Sequence, residues 1–332
     1  MRDIQPLRVL AKEAAGLIEA ASHITIVTHL NPDADTLGTG LGIYALLKAH
    51  TKKPIEIVNA SDALPRYLDF LPNFSKIKKK IEYEKSLVIG VDCGSIDRFG
   101  VTLEGHPIIN IDHHTSNTYF GTLNAVLPAY ASASQVAFRL FENIYTVTAH
   151  SAVCFYTALL SDTRYFTTDS VNAEVFETAR ELVNLGADPA YVATNFTQRR
   201  SLASLRILER ALHSLSLYFE GSVAVMEITP EDIDATGATM PDMDGIVDYG
   251  RSLATVEAAV LLIGLKDGTV RVSLRSKGAD VSKVAAHFGG GGHKVAAGFT
   301  VKDRQMQEIV DTILEQIMQL GLINGQTNKT QK

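Results

Sequence analysis

Apolar positions in the first third of the chain come as short, unbroken runs and not as alternating ones. Residues 23–29 (HITIVTH), 54–59 (PIEIVN), 86–92 (SLVIGVD) and 107–112 (PIINID) predict four strands. Near-continuous apolar runs of this length fit strands buried on both faces of a parallel sheet. An amphipathic helix precedes the first run, and a helix over 37–49 follows the turn LNPDAD. Strand–helix alternation of this kind predicts an α/β fold with a doubly wound, mostly parallel sheet. From 133 to about 217 the pattern is mostly helical, broken at SDTRYFTT and LGADPA, with a helix over 171–185 closed by Gly186. Short β runs return at 221–228, 256–265 and 268–276, followed by a helix over 281–288, four glycines and a last helix over 304–320. The expected organisation is a metal-binding domain over 1–190, a helical connector over 191–215 and a smaller α/β substrate-binding domain over 216–323. A cleft is expected between the domains, and the polar tail 324–332 is expected to be disordered.

Composition narrows the function classes. The 332 residues are long enough for two cores, and 46% hydrophobic with 20% charged residues is ordinary for a globular protein. No apolar run approaches the ~20 residues of a membrane helix, and the N-terminus has an acid at Asp3 and no signal-peptide pattern. The two cysteines, Cys93 and Cys154, have neither CxxC spacing nor the number for a disulfide framework, which points to the cytoplasm. A net charge of −6 argues against duplex DNA as a partner.

The chemistry is concentrated where the apolar runs stop. His29 ends the first; Asp33 and Asp35 lie in the next turn; Asp92 ends the third; Asp112, His113 and His114 end the fourth; Asp162 closes the apolar stretch 153–161. Functional groups of open α/β sheets gather beyond the carboxyl ends of the strands, so four segments deliver carboxylates and imidazoles to one edge. Carboxylates packed together raise one another's pKa, and divalent cations remove that conflict. Mixed oxygen and imidazole donors without thiolate suit Mn²⁺, with Mg²⁺ or Co²⁺ as substitutes, better than zinc. A single aspartate at such a position is usually a turn or cap residue; the joint occurrence is what points to metal. Loss of activity in acid is expected as His29 and His113 protonate. In the second half, Gly289, Gly290, Gly291 and Gly292 predict a loop whose bare backbone approaches a phosphate, with His293 beside it and Arg275 at a strand end as a bidentate phosphate ligand.

These segments resemble the DHH phosphoesterases. HLNPDAD (29–35), GVD at Asp92, DHH (112–114) and SDT at Asp162 match four ordered family motifs, and FGGGGHKVAAGF (288–299) resembles the DHH-associated domain of the nanoRNase and pAp-phosphatase branch. The chain departs from the pattern at Arg164, where glycine is usual, at Thr36 and Thr39, and at Gln135. The resemblance implies two cations, one held by His29, Asp33, Asp92 and Asp162, the other by Asp35, Asp92, His113 and Asp162. It implies catalytic roles for His114, facing the phosphate or leaving group, and for Asp112, orienting the loop or a ligand histidine. Substrate contacts are expected from Arg275, His293, Gly289–Gly292 and Arg164. Arg98 either reaches a phosphate or pins its loop through Asp97. The substrates implied are short single-stranded RNA and 3′-phosphoadenosine 5′-phosphate (pAp), cut by a metal-activated hydroxide. Cyclic dinucleotides, or a non-catalytic nucleotide-binding role, are the alternatives. Neither a membrane nor duplex DNA is an expected partner, and a homodimer is an admissible assembly.

Overall fold

The computed structural model describes residues 5–323; the chain's first four residues and the tail 324–332, expected to be disordered, lie outside the described residues. The chain divides into two compact units between Arg199 and Arg200.

In the first unit β1 (Ile24–Thr28), β2 (Ile55–Val58), β3 (Ile77–Lys78), β4 (Leu87–Val91), β5 (Ile108–Asp112) and β6 (Leu123–Val126) form one parallel sheet in the order β3-β2-β1-β4-β5-β6. Every residue of β1, β2, β4 and β5 is buried, as their apolar runs require. The strand order reverses between β1 and β4, and the crevice outside that reversal is where open α/β sheets take ligands. The helices are α1 (Gln5–Ala20), α2 (Ala34–His50), α3 (Ala133–Phe141), α4 (Ala149–Asp162), α5 (Ala173–Asn184) and α6 (Pro189–Thr197). The larger core packs α1 to α4 on one face of the sheet. On the other face Val27, Val88 and Ile108 meet Phe99 and Leu103.

One sequence expectation changes here. α2 begins at Ala34, so Asp35 lies in its first turn and not in the preceding loop. Asp162 is the last residue of α4, in keeping with the mostly helical pattern read over 133–217. α4 is buried along most of its length, which hides helical periodicity behind an apolar run. Its approach to α2 depends on Gly38: a Cβ there would lie 2.7 Å from the Cys154 carbonyl and 2.8 Å from Ala158 Cβ.

The second unit is built on β7 (Ser216–Tyr218), β8 (Val223–Ile228), β9 (Ala258–Gly264), β10 (Thr269–Ser276), β11 (Gly291–His293) and β12 (Ala296–Lys302), in the order β11-β12-β10-β9-β8-β7. Only the β8–β9 pair is parallel. Helices α7 (Leu202–His213), α8 (Pro230–Thr236), α9 (Ile246–Arg251), α10 (Val281–His287) and α11 (Met306–Gln319) complete it. One core joins the sheet to α10 and α11, another to α7 and α9. The glycine cluster is not a free loop throughout: Gly291 and Gly292 pair with β12. No helix among the described residues is long and apolar enough to cross a membrane.

Candidate metal centre

His29 and Asp92 follow β1 and β4 directly, on the two sides of the strand reversal. The Thr36 hydroxyl ties these ends together: it donates to the Val91 carbonyl (3.2 Å) and accepts from the His29 amide (3.3 Å). Asp33 is the N-cap of α2, its carboxylate accepting from the Asp35 and Thr36 amides. The Asp35 carboxylate accepts from the Ala133 and Ser134 amides at the start of α3 (2.8 and 3.2 Å) and from Thr39 Oγ1 (3.2 Å). A helix N-terminus stabilises such a charge.

The carboxylates and imidazoles converge. His29 Nε2 lies 3.4 Å from Asp92 Oδ2 and 3.9 Å from Asp33 Oδ1. His113 Nε2 lies 3.6 Å from Asp162 Oδ2, 3.7 Å from Asp92 Oδ1 and 3.8 Å from Asp35 Oδ2. Two separate triads, His29/Asp33/Asp92 and Asp35/His113/Asp162, each bring three donor atoms within 4.8 Å of one another. Asp92 turns one oxygen towards each histidine, the arrangement of a carboxylate able to serve two cations. A third triad, Asp92/His113/His114, was not anticipated. Asp112 Oδ1 lies 2.7 Å from His114 Nδ1 and accepts the His113 amide at 2.8 Å. The histidine it orients is thus His114. Asn117, inside the DHHTSN stretch but given no role, donates to Asp112 Oδ2 (2.6 Å) and to the Cys93 carbonyl (3.0 Å), joining the two ligand-bearing loops.

Electrostatics fit a cation-binding donor set. Burial first, then neighbouring carboxylates, hold Asp35 and Asp92 well above the ordinary aspartate range. Burial and Asp33 push Asp162 up to about 7. Burial, with the charge of His114 behind it, pushes His113 down to about 4, and burial also lowers His29. Burial opposes protonation of His114, but its bond to Asp112 prevails and raises it. The raised carboxylates add a second source of acid sensitivity beside the histidines, because Asp162 exchanges its proton near pH 7 while His113 is held low by burial. Loading Mn²⁺ at pH 6.5 is expected to release protons, and its apparent affinity should fall about tenfold per pH unit for each proton displaced. Calorimetry in buffers of different ionisation enthalpy counts these protons; a count of zero would show the carboxylates already ionised.

Arg164, Tyr165 and Phe166, directly after Thr163, occupy the left-handed region in succession, with φ of 46°, 60° and 62°. This conformation costs roughly 1–2 kcal/mol per L-residue. Arg164 is close enough to Asp162 for its charge to favour the carboxylate. Arg98 is exposed, and its carbonyl accepts the Leu30 amide, so its backbone pins the loop beside His29 while its side chain reaches solvent.

Arg275 and His293 belong to the second unit, on β10 and β11. The Arg275 guanidinium donates to the Leu274 carbonyl at 3.0 Å. Two of the glycines have packing reasons: a Cβ at Gly290 would lie 2.3 Å from the Gly298 carbonyl, and one at Gly292 2.5 Å from the Ala296 carbonyl. Gly289 has a left-handed φ of 74°, leaving Gly291, with open space around it, as the glycine that packing does not require.

Four carboxylates and two imidazoles converging at the strand reversal of a parallel sheet, with His29, Asp35 and Asp92 buried and Asp33 open to solvent, define a metal-dependent hydrolytic class. Residues 23–160 match the DHH family N-terminal domain, and residues 220–319 match the DHHA1 domain. The bifunctional oligoribonuclease and PAP phosphatase NrnA of Thermus thermophilus is 32% identical over 301 residues, 89% of this chain and 89% of the relative. The cyclic-di-AMP phosphodiesterase PdeA of Listeria monocytogenes is 23% identical over 339 residues, covering 93% of this chain but 49% of the relative. The crystal structure of an exopolyphosphatase-related protein from Bacteroides fragilis superposes with a TM-score of 0.86 at 25% identity, covering 94% of this chain and 96% of that one. The chain belongs to the DHH phosphoesterase family, with a DHHA1 domain as its second half.

Proposed function

We propose that this protein hydrolyses short oligoribonucleotides to mononucleotides and removes the 3′-phosphate of pAp. The observation that carries this reading is Asp92 turned between two imidazole–carboxylate triads, in a chain that matches the Thermus relative over nine-tenths of both lengths. His29, Asp33 and Asp92 would hold one divalent cation; Asp35, His113 and Asp92 the other, with Asp162 between them. Mn²⁺ suits this donor set best. Bound there, the cations supply charge neutralisation and a water whose pKa is lowered to near neutrality. The chain's own groups do the rest. Asp112 holds His114 at Nδ1 and favours the protonated ring, a group able to donate to the leaving oxygen. Arg164 and Arg98 meet phosphate charge.

In the second unit we assign Arg275, His293 and the open backbone at Gly291 to the phosphate or nucleotide that is not cut. Arg275→Ala is expected to lower kcat/KM roughly ten- to a hundredfold, the loss of one charge-assisted contact, with metal content unchanged. Gly291→Ala should act in the same direction without loss of stability, because its Cβ meets no atom within 4 Å. Equal losses on a minimal diester that has no second phosphate would refute the assignment. Activity against cyclic dinucleotides is the weaker reading, since that relative is matched over half its length and at lower identity. A Mn²⁺-supported assay of pAp, two- to five-residue RNA and cyclic di-AMP side by side tests the order; cyclic di-AMP as the best substrate would reverse it. Two unpaired, buried cysteines agree with a cytoplasmic setting.

A further inference from the structure

The strained turn after Asp162 leads into a line of aromatic rings that the hydrolytic chemistry does not use. Tyr165 is 46% exposed and meets Phe196 of α6 edge-on, with centroids 6.3 Å apart. Phe196 in turn meets Tyr67 at 5.6 Å and Phe70 at 6.4 Å, and Phe70 meets Tyr191 at 5.7 Å. Tyr191 is 47% exposed. All five rings belong to the first unit, and the line starts three residues from a proposed metal ligand. A cluster serving only to fasten α6 would bury its ends; here both terminal rings are open to solvent. Nor does fastening α6 account for three successive left-handed residues, which hold Tyr165 outward next to the cationic Arg164.

Aromatic faces beside a cation are the chemistry of single-strand recognition: the cation meets the backbone, and bases stack without regard to sequence. We propose that Tyr165 is the first platform of a base-stacking track, taking the base next to the scissile phosphate of a short oligoribonucleotide, with Phe196 and Tyr67 supporting its ring. The proposal deepens the oligoribonuclease reading and rests on it for the nature of the strand. It assigns Tyr165 to specificity: the enzyme distinguishes a strand with bases from a bare ribose-phosphate chain.

The test compares a four-residue RNA with its abasic counterpart of equal length and charge. Both are followed in cleavage with Mn²⁺ and in fluorescence-anisotropy binding with Ca²⁺ in its place. The intact strand is expected to be preferred, and Tyr165→Ala to reduce that preference roughly tenfold while leaving the abasic rate unchanged. Tyr165→Phe, which keeps the ring, should retain the preference. Equal effects of Tyr165→Ala on both strands, or none, would overturn the track. Base-dependent binding without cleavage would keep the track and sink the oligoribonuclease reading; cleavage without base dependence would do the reverse. Failure to bind either strand overturns both.

Discussion

Asp92→Asn is expected to abolish turnover, by about a thousandfold or more, and yet to yield a metal-free protein that melts at a higher temperature than the parent. The two effects have one cause. Asp92 is buried, with one oxygen towards His29 and the other towards His113. Two cations cannot share a neutral amide as they share a carboxylate. Without cations the same charge is a liability. Burial and Asp35, Asp33 and Asp162 raise its pKa, so the folded state binds a proton more tightly than the unfolded chain. Such a group's contribution to stability falls as pH rises from the unfolded value through the folded one. The variant's advantage should therefore be largest at pH 8 with chelator and shrink towards pH 4. Asparagine also tolerates the left-handed backbone at this position, φ 54°, whereas Asp92→Ala would not and serves as the control. Calorimetric melting and steady-state rates on one preparation check both halves. Retained activity would remove Asp92 from the shared position.

Chelation of the wild-type protein is expected to take activity to background and to lower the melting temperature. Readdition of Mn²⁺ should restore both, at low micromolar or higher free metal. At a hundred times its dissociation constant each bound cation stabilises by about 2.7 kcal/mol, a rise of roughly 5–10 °C for a unit of this size. The stability readout is independent of turnover and separates a lost cation from a lost substrate contact. Highest activity with Zn²⁺ at equal free concentration would mean that the oxygen-rich donor set had been misjudged.

The strands that carry His29, Asp92 and Asp112 were legible because burial on both faces leaves an unbroken apolar run. Asp162 closes a helix with the same unbroken apolar signature, since α4 is buried along most of its length and shows little polar face. β3, of two residues, was too short to leave a pattern, and in β6 the half-buried Asn124 interrupts the apolar run. The metal-facing residues could be found because carboxylates and imidazoles are costly where they stand. Their supports could not. Thr36, Thr39 and Asn117 act through partners as distant as Val91 and Cys93, and a hydroxyl or amide in a loop has many ordinary uses. The glycine cluster carried two signals that the sequence blends: Gly290 and Gly292 answer to neighbouring backbone, and Gly291 does not. The left-handed turn at Arg164 was visible only as a missing glycine.

The same carboxylates set a kinetic order. With Asp33, Asp35, Asp92 and Asp162 gathered at the strand reversal, the metal-free crevice opposes a phosphate to the extent that these groups are ionised, which burial and mutual repulsion hold back. Two divalent cations, if held as proposed, would offset the four carboxylates and remove that barrier to the anion. On that reading metal would add before substrate, and a nucleotide in excess would be expected to compete for free cations in solution.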